Sequence, residues 1–446
     1  MDQQNNIFKN ISIFRNSITL KIIIIGILIL ILLIPSSMIS SLMFERQTRR
    51  DSVIAEISEK WGGSQIITGP YITIPYKTFY KDVDDKLIPE IEYLHLLPKT
   101  LKIDGNINPK IRYRSNYEVV LYNTEITVRG IFDFKPIEKL NIKTENIMWD
   151  KANICIGISD MRGIQDNILF KFNEVEKNFS PGVKTQDIVT QGVSSQIILD
   201  PMNKTNAFSI KLNVNGSSQL QFIPIGEETT VKLVSKWPSP SFNGAFLPYD
   251  RQITDKGFNA AWKILQLNRN FPQAWKGSQH EIGSSSFGLG LLISNDIYQK
   301  SERLSKYAIM FIIFTFAAFF ISEIISKKRI HPIQYLLVGL AISLFYILQL
   351  SISEHLSFNN AYMISAGAIT ALITGYANGI IQSKYFTVTI FSVLVSLYTY
   401  LYIVIQLEDF SLIMGSMSLF VVLAVIMFMT RNINWYAFDG KKIEEV

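Results

Sequence analysis

The stretch from Tyr307 to Ser326, YAIMFIIFTFAAFFISEIIS, carries one charged residue, Glu323, in an otherwise apolar run. Crossing about 30 Å of hydrocarbon takes roughly 20 apolar residues in a helix, because no water is present to satisfy an unpaired backbone. C-terminal to it, Ile333–Ser353, Ala361–Ile381, Phe386–Gln406 and Ser411–Thr430 meet the same requirement, and the short gaps between them predict one compact antiparallel bundle. On the N-terminal side the nearest such run is remote, Ile22–Phe44. The pattern predicts an integral membrane protein with about six transmembrane helices and a large domain between the first two.

The first apolar run admits two readings. Lys9, Arg15 and Lys21 precede it, and Pro35 with the small residues SSMISS follows, as in a cleaved signal peptide. The uncharged stretch nevertheless continues through Leu42, Met43 and Phe44, long enough to span, which favours a retained anchor. Charge then sets orientation. Lys327, Lys328 and Arg329, then Lys384, then Arg431, Lys441 and Lys442 flank one side of the bundle, whereas the alternate connections EHLSFNN and LEDF hold no Lys or Arg. The positive-inside rule puts both termini in the cytoplasm and the intervening domain outside, although Arg46, Arg49 and Arg50 follow the first span on that outer side. The expected layout is a cytoplasmic N-terminus at 1–21, a first span at 22–44, a periplasmic β-rich domain at 45–304, a five-helix bundle at 305–430 and a cytoplasmic tail at 431–446.

Within the domain, DSVIAEISEKWGG reads as a short amphipathic helix with Val53, Ile54, Ile57 and Trp61 on one face, ended by Gly62-Gly63. Beyond it the period is two. In AFSIKLNVNGSSQLQF, Phe208, Ile210, Leu212 and Val214 alternate with polar residues, and Asn215-Gly216 predicts a hairpin turn returning through Leu220 and Phe222. EITVRGIFDF and VKLVSKW alternate likewise, so antiparallel sheets in a sandwich or an elongated β-structure are expected. The prolines of WPSPSF, set among Trp237, Phe242 and Phe246, predict a rigid corner.

Composition narrows the functions. The net charge of +6 is accounted for by lysines and arginines beside apolar segments, and no basic stripe with stacking aromatics calls for nucleic acid. The single cysteine, Cys155, excludes an intrachain disulfide, and its alternation with Ile154, Ile156 and Ile158 makes it a strand position rather than a nucleophile. His95, His280, His331 and His355 show no metal-ligand spacing, and no Walker loop, GxGxxG turn or GxSxG elbow occurs. No cofactor or metal is expected.

Long ordered motifs carry a family resemblance. SKWPSPSFNGAFLPYDRQITDKGFNAAW, RLSKYAIMFIIFTFAAFFISE, HPIQYLLVGLAISLFYILQLSISEH and TRNINWY, with the earlier GPYITIPY, YLHLLP, KIDG and SDMRGI, resemble the CreD inner-membrane protein family over nearly the whole chain. The resemblance implies a Gram-negative cytoplasmic membrane and an anchor, periplasmic domain and bundle in that order. It also implies links to a carbon-source-responsive two-component regulon, colicin tolerance and envelope integrity, including the β-lactam response. It brings no reaction and no catalytic residues.

The polar candidates lie at the membrane edges. Glu323 sits about one turn from the cytoplasmic end of its span, and Glu354 with His355 at the outer end of the next. An intramembrane carboxylate invites a proton relay, but Glu323 pairing with Lys327 and Glu354-His355 capping the bundle are structural alternatives. Gln349, Asn378 and scattered serines offer few polar groups in between, which disfavours a transport path. Gly367, Ala371, Gly375 and Gly379 recur at every fourth position and predict a smooth helix-packing stripe, taken up inside the bundle or by another protomer, with the former favoured. The leading expectation is a non-enzymatic envelope protein anchored in the lipid bilayer, whose outer domain contacts a periplasmic or envelope protein. A transporter or channel using the edge carboxylates stands second, and a membrane-bound envelope hydrolase built on His280 and Ser284–Ser286 third.

Overall fold

The computed structural model describes residues 18–81, 84–114, 116–203, 206–291, 297–326, 328–407 and 411–431. Lys327, most of the expected N-terminal segment, and the tail from 432 with Trp435, Tyr436, Lys441 and Lys442 lie outside the described residues. The chain divides into two compact units, Met1–Arg49 with Asn295–Val446, and Arg50–Ser294.

The helical unit is built on long apolar helices. α1 (Ile18–Trp61) does not break where its apolar run ends: the anchor and the short amphipathic helix expected after it are one element. Glu45, Arg46, Gln47 and Arg49 are good helix formers, and no Gly or Pro interrupts them. A short amphipathic helix, α2 (Ile297–Lys306), buries Tyr298, Ser301, Leu304 and Ser305, and belongs to the helical unit although its residues fall mostly within the span first assigned to the β-rich domain. Then follow α3 (Ala308–Ser326), α4 (Pro332–Ser353), α5 (Phe358–Ile381), α6 (Lys384–Gln406) and α7 (Ser411–Thr430). Among the described residues five helices are long and apolar enough to cross a membrane, α1 and α3 to α6. α7, the sixth expected span, is a helix of 20 residues with a mostly apolar sequence.

Among the described residues the small-residue stripe of α5 is not taken up inside the bundle, the favoured of its two expected uses; a second protomer was the other. Gly367, Ala371, Gly375 and Gly379 are exposed, and a Cβ built on any of the three glycines would meet nothing within 4 Å. α5 instead buries Ala361, Tyr362, Ser365, Ala366, Ile369, Thr370, Ile373 and Ala377. The bundle packs on the face that carries tyrosine and isoleucine, whose large side chains fill its interior, and the stripe is left pointing outward.

The β-unit contains β1 (Gln65–Lys81), β2 (Leu87–Leu96), β3 (Thr100–Arg114), β4 (Tyr117–Phe132), β5 (Ala152–Ile158), β6 (Leu169–Phe172), β7 (Val175–Lys177), β8 (Ser180–Pro181) and β9 (Gly192–Ile197). It continues with β10 (Asn206–Ser217), β11 (Gln219–Phe222), β12 (Glu228–Ser235), β13 (Pro240–Gly244), β14 (Asp250–Thr254), β15 (Gly257–Leu265), β16 (Ala274–Lys276) and β17 (Phe287–Leu291). One sheet runs β13-β17-β11-β1-β5-β9-β8, with β2 added on β1 and β16 on β2; the other runs β14-β15-β12-β3-β4-β10-β6-β7. Their inner faces bury one common core, to which β1, β5 and β17 bring Ile72, Ile154 and Phe287, and β3, β4 and β10 bring Ile103, Val128 and Ile210. The period-two alternation holds: Phe208, Ile210, Leu212 and Val214 are buried while Lys211 is exposed. Trp237, Phe242 and Phe246 pack against this core, and Pro240 opens β13, an edge strand, where a missing N–H is tolerated.

Two expectations need correction. The sheets are mixed, because β1 pairs with β11 and β3 with β12 in parallel. Both pairs are far apart in sequence, so no hairpin fixes their direction. Nor does Asn215-Gly216 make a turn. β10 runs straight through it, Asn215 pairing with Asn123 and Gly216 with Tyr122 of β4, and at Ser218, whose φ is 61°, the chain passes into the other sheet as β11. Gly216 is required by close approach: a Cβ there would collide with the Tyr122 phenol, whose hydroxyl donates to Gln219 O at 2.6 Å.

That contact sets a test of the fold. Gly216→Ala should destabilise the β-unit by about 1–3 kcal/mol through overpacking, read as a lower unfolding midpoint of the intact purified protein. An unchanged midpoint would mean that the Tyr122 ring has room to yield.

Candidate functional site

Alternate turns of α1 bury Leu28, Leu32, Ser36, Ile39 and Met43, a stripe at spacings of three and four that forms a seam with the bundle. The seam is tight because α4 offers Gly339, where a Cβ would run into Leu32 and reach Phe316 Cζ at 3.0 Å. Each end of the seam holds an ion pair. At one end the Lys21 ammonium donates to the Glu323 carboxylate and to Ile330 O, the latter at 2.8 Å. The Tyr335 hydroxyl donates to the other oxygen of Glu323 at 3.0 Å, and Lys21 Nζ lies 5.8 Å from the centroid of the Tyr335 ring. At the far end Arg46 Nη1 is 3.6 Å from Glu354 Oε1.

The two membrane-edge carboxylates are thus brought into one system, through α1, at opposite ends. Glu323 is buried, with its charge met by one cation and a phenol; Glu354 is half-buried beside an arginine. The partner of Glu323 is Lys21, 302 residues away; Lys327 lies outside the described residues. His355 does not join the Glu354 pair: it is exposed, and its backbone N–H donates to Ile352 O at 3.0 Å. His331 caps α4, its Nδ1 accepting from Ile333 N at 3.3 Å, as a helix start before Pro332 should. Sequence reasoning missed Lys21, Arg46 and Tyr335. The spacing of Lys21, Leu28, Leu32, Ile39, Met43 and Arg46 along one helical face is the signal that could have found the first two.

In the β-unit the most developed polar cluster surrounds His95 on β2. Its ring is fully buried, with Nδ1 3.1 Å from Thr73 Oγ1 and Nε2 3.0 Å from Asp187 Oδ2. The carboxylate accepts from Nε2–H, so the Nδ1 lone pair accepts from the Thr73 hydroxyl. Trp275 and Tyr71 enclose the ring, with centroids at 5.8 and 6.4 Å. Burial holds the imidazole below its ordinary pKa of 6.5, against the opposing pull of Asp187. The order Asp187, His95, Thr73 echoes a hydrolytic triad, but Thr73 is itself buried, which leaves a substrate no approach to it. Cys155 on β5 is buried as well, and burial pushes its thiol up to about 11, far from a thiolate nucleophile at neutral pH. His280 packs edge-on to Trp275 at 5.5 Å and makes no hydrogen bond with Ser284, Ser285 or Ser286 among the described residues. The open depression of about 500 Å³ beside Gly63, Ser159 and Asp160 offers no free carboxylate, since Asp160 accepts from Gly63 N at 2.8 Å and from the Arg162 guanidinium at 2.9 and 3.0 Å. Among the described residues no group of three or more His, Cys, Asp or Glu could hold a metal ion.

Residues 17–436 match the protein family described as Inner membrane protein CreD. The protein of that name from Escherichia coli (strain K12) is 32% identical to this chain over 424 residues, covering 93% of this chain and 93% of that protein.

Two outcomes follow from the geometry. Lys21→Met strands a buried carboxylate and should cost about 3–5 kcal/mol, whereas Lys21→Met with Glu323→Gln should cost less than the two single changes together. A thermal-unfolding double-mutant cycle measures this, and strict additivity would remove the pair from the seam. For His95, the unfolded chain binds the proton more tightly than the folded one, so stability falls as pH drops through about 6.5. His95→Asn should flatten that part of the profile between pH 7 and 5; an unchanged slope would assign the acid sensitivity elsewhere.

Proposed function

The chain belongs to the CreD family of inner membrane proteins, and from that premise we propose that it serves the cell envelope as a binding protein rather than as an enzyme. In this reading α1 and the bundle anchor it, both termini are cytoplasmic, and the β-unit stands in the periplasm and contacts an envelope partner. Lys328, Arg329, Lys384 and Arg431 on one side of the bundle support that orientation.

The observation that carries the partner-binding reading is the far end of the β1–β2 hairpin. β5 supports β1 only as far as Thr73, and β16 supports β2 only between Leu94 and Leu96. Beyond them, among the described residues, Lys77–Lys81 and Leu87–Ile91 pair only with each other. Phe79 is 51% exposed, Leu87 65% and Ile91 54%, and the cross-strand pairs Phe79–Pro89, Lys77–Ile91 and Lys81–Leu87 put all three on one face. A two-stranded arm presenting apolar side chains between two lysines is poorly stable alone in water and gains by being covered. Transport is the weaker reading: Glu323 and Glu354 are each matched by a cation of α1, an arrangement suited to holding helices together.

The test is a photo-crosslinking residue at position 79 or 87 in living cells, together with a Phe79→Ser, Leu87→Ser, Ile91→Ser variant. A discrete adduct with an envelope component is expected. The variant should reach the membrane at normal level yet fail to restore the envelope-stress or β-lactam tolerance of a deletion strain. No discrete adduct together with full complementation would overturn the proposal.

A further inference from the structure

The interior of the bundle contains polar atoms that its own packing does not satisfy. Tyr346 Oη and Gln349 Nε2 on α4, Ser365 Oγ on α5 and Tyr398 Oη on α6 are buried, and among the described residues none has a hydrogen-bond partner. Tyr346, Gln349 and Ser365 are 0% exposed and Tyr398 4%. Such groups are rare in folded proteins because each gives up its hydration without return, and in a bilayer no bulk water is at hand to relieve them. With Thr374 Oγ1 of α5, five such atoms lie on α4 to α6 among the described residues; the four named first are those whose helices meet at one level.

Ring contacts and helical spacing assign them to one region of the bundle. Tyr346 and Gln349 are three residues apart on one face of α4; Tyr362 and Ser365 stand in the same relation on α5, the next helix back. The rings of Tyr346, Tyr362 and Tyr398 all pack around Phe345, with centroids 5.0, 5.5 and 4.8 Å away. Neighbouring groups that are satisfied frame the site. Tyr362 donates its hydroxyl to Tyr398 O at 2.6 Å. Ser301 of α2 donates to Gln349 Oε1 at 3.2 Å, which fixes the amide and turns its N–H bonds the other way. Tyr346 stands seven residues before the end of α4, about 10 Å along the helix, so the site lies inside the bundle rather than at its rim.

We propose that these four side chains form an internal binding site for a small uncharged molecule that both donates and accepts hydrogen bonds. Three hydroxyls and an amide offer donors and acceptors with no formal charge, so the site favours neither an ion nor an apolar guest. A buried water takes two to four polar partners, and hydroxyl and amide groups of this kind supply them. Water and a retained small polar solute share this chemistry; solvent is the source to which the fit of the site points first.

The test uses the intact protein in detergent and two substitutions that keep the ring, Tyr346→Phe and Tyr398→Phe. If the hydroxyls bind an occupant, each change should lower the unfolding midpoint by about 2–4 °C; if they are truly orphaned, removing them should leave it unchanged or raise it, and the proposal fails. Radiolytic hydroxyl-radical labelling separates the sources. Modification of Tyr346 and Tyr398 at rates well above those of the equally buried Phe311 and Phe345 identifies exchanging water. Lowered midpoints without that labelling identify a retained solute, which mass spectrometry of the denatured protein should release.

Discussion

A lysine and a glutamate meeting inside apolar surroundings govern the helical unit. Either charge alone is expensive there, and the cost falls only when the two are held together with their remaining hydrogen bonds met. Lys21, Glu323, Tyr335 and Ile330 O supply that set. Because Lys21 comes from the first helix and its partners from α3, α4 and their connection, the pair fixes α1 in both position and rotation. Leu28, Leu32, Ile39 and Met43 then fall on the face that Gly339 is shaped to receive, and Arg46 arrives beside Glu354. An apolar helix in lipid has little reason to prefer one rotation over another; the ion pairs give it one.

The β-unit solves the opposite problem. It has no disulfide, and it closes two sheets on one large core and uses buried polar contacts to fix register. The Tyr122 hydroxyl over Gly216, the Asn123 amide donating to Asn213 and Asn215 at 2.7 and 2.9 Å, and His95 between Thr73 and Asp187 each join strands in a way that a one-residue slip would break. Arg269, buried and held by the carbonyls of Phe271 and Ile225, does the same for the loops that carry those residues.

What the chain revealed before its structure depended on how local the signal was. Helices long enough to span, the period-two strands and the burial of Cys155 each follow from a window of a few residues, and all were legible. Asn215-Gly216 misled because the same dipeptide suits a turn and a close strand crossing; only the position of Tyr122, far back in the sequence, separates them. The α5 stripe misled for a related reason. Small residues at every fourth position describe a smooth face but not what lies against it, and the larger face of Tyr362, Ile369 and Ile373 took the interior. The carboxylates were legible as residues, while their partners, supplied by a helix at the other end of the chain, were not.

The buried state of Cys155 has a practical side. It is the only sulfhydryl in the chain, shielded by the core and weakly acidic. The native protein therefore serves as its own thiol-silent background. Any cysteine placed on the β1–β2 arm, on the outward stripe of α5 or at the end of α1 becomes a unique address for a dye, a spin label or a crosslinker. Neighbouring parts of this protein can be ranged and oriented in the membrane without first stripping it of a residue its core relies on.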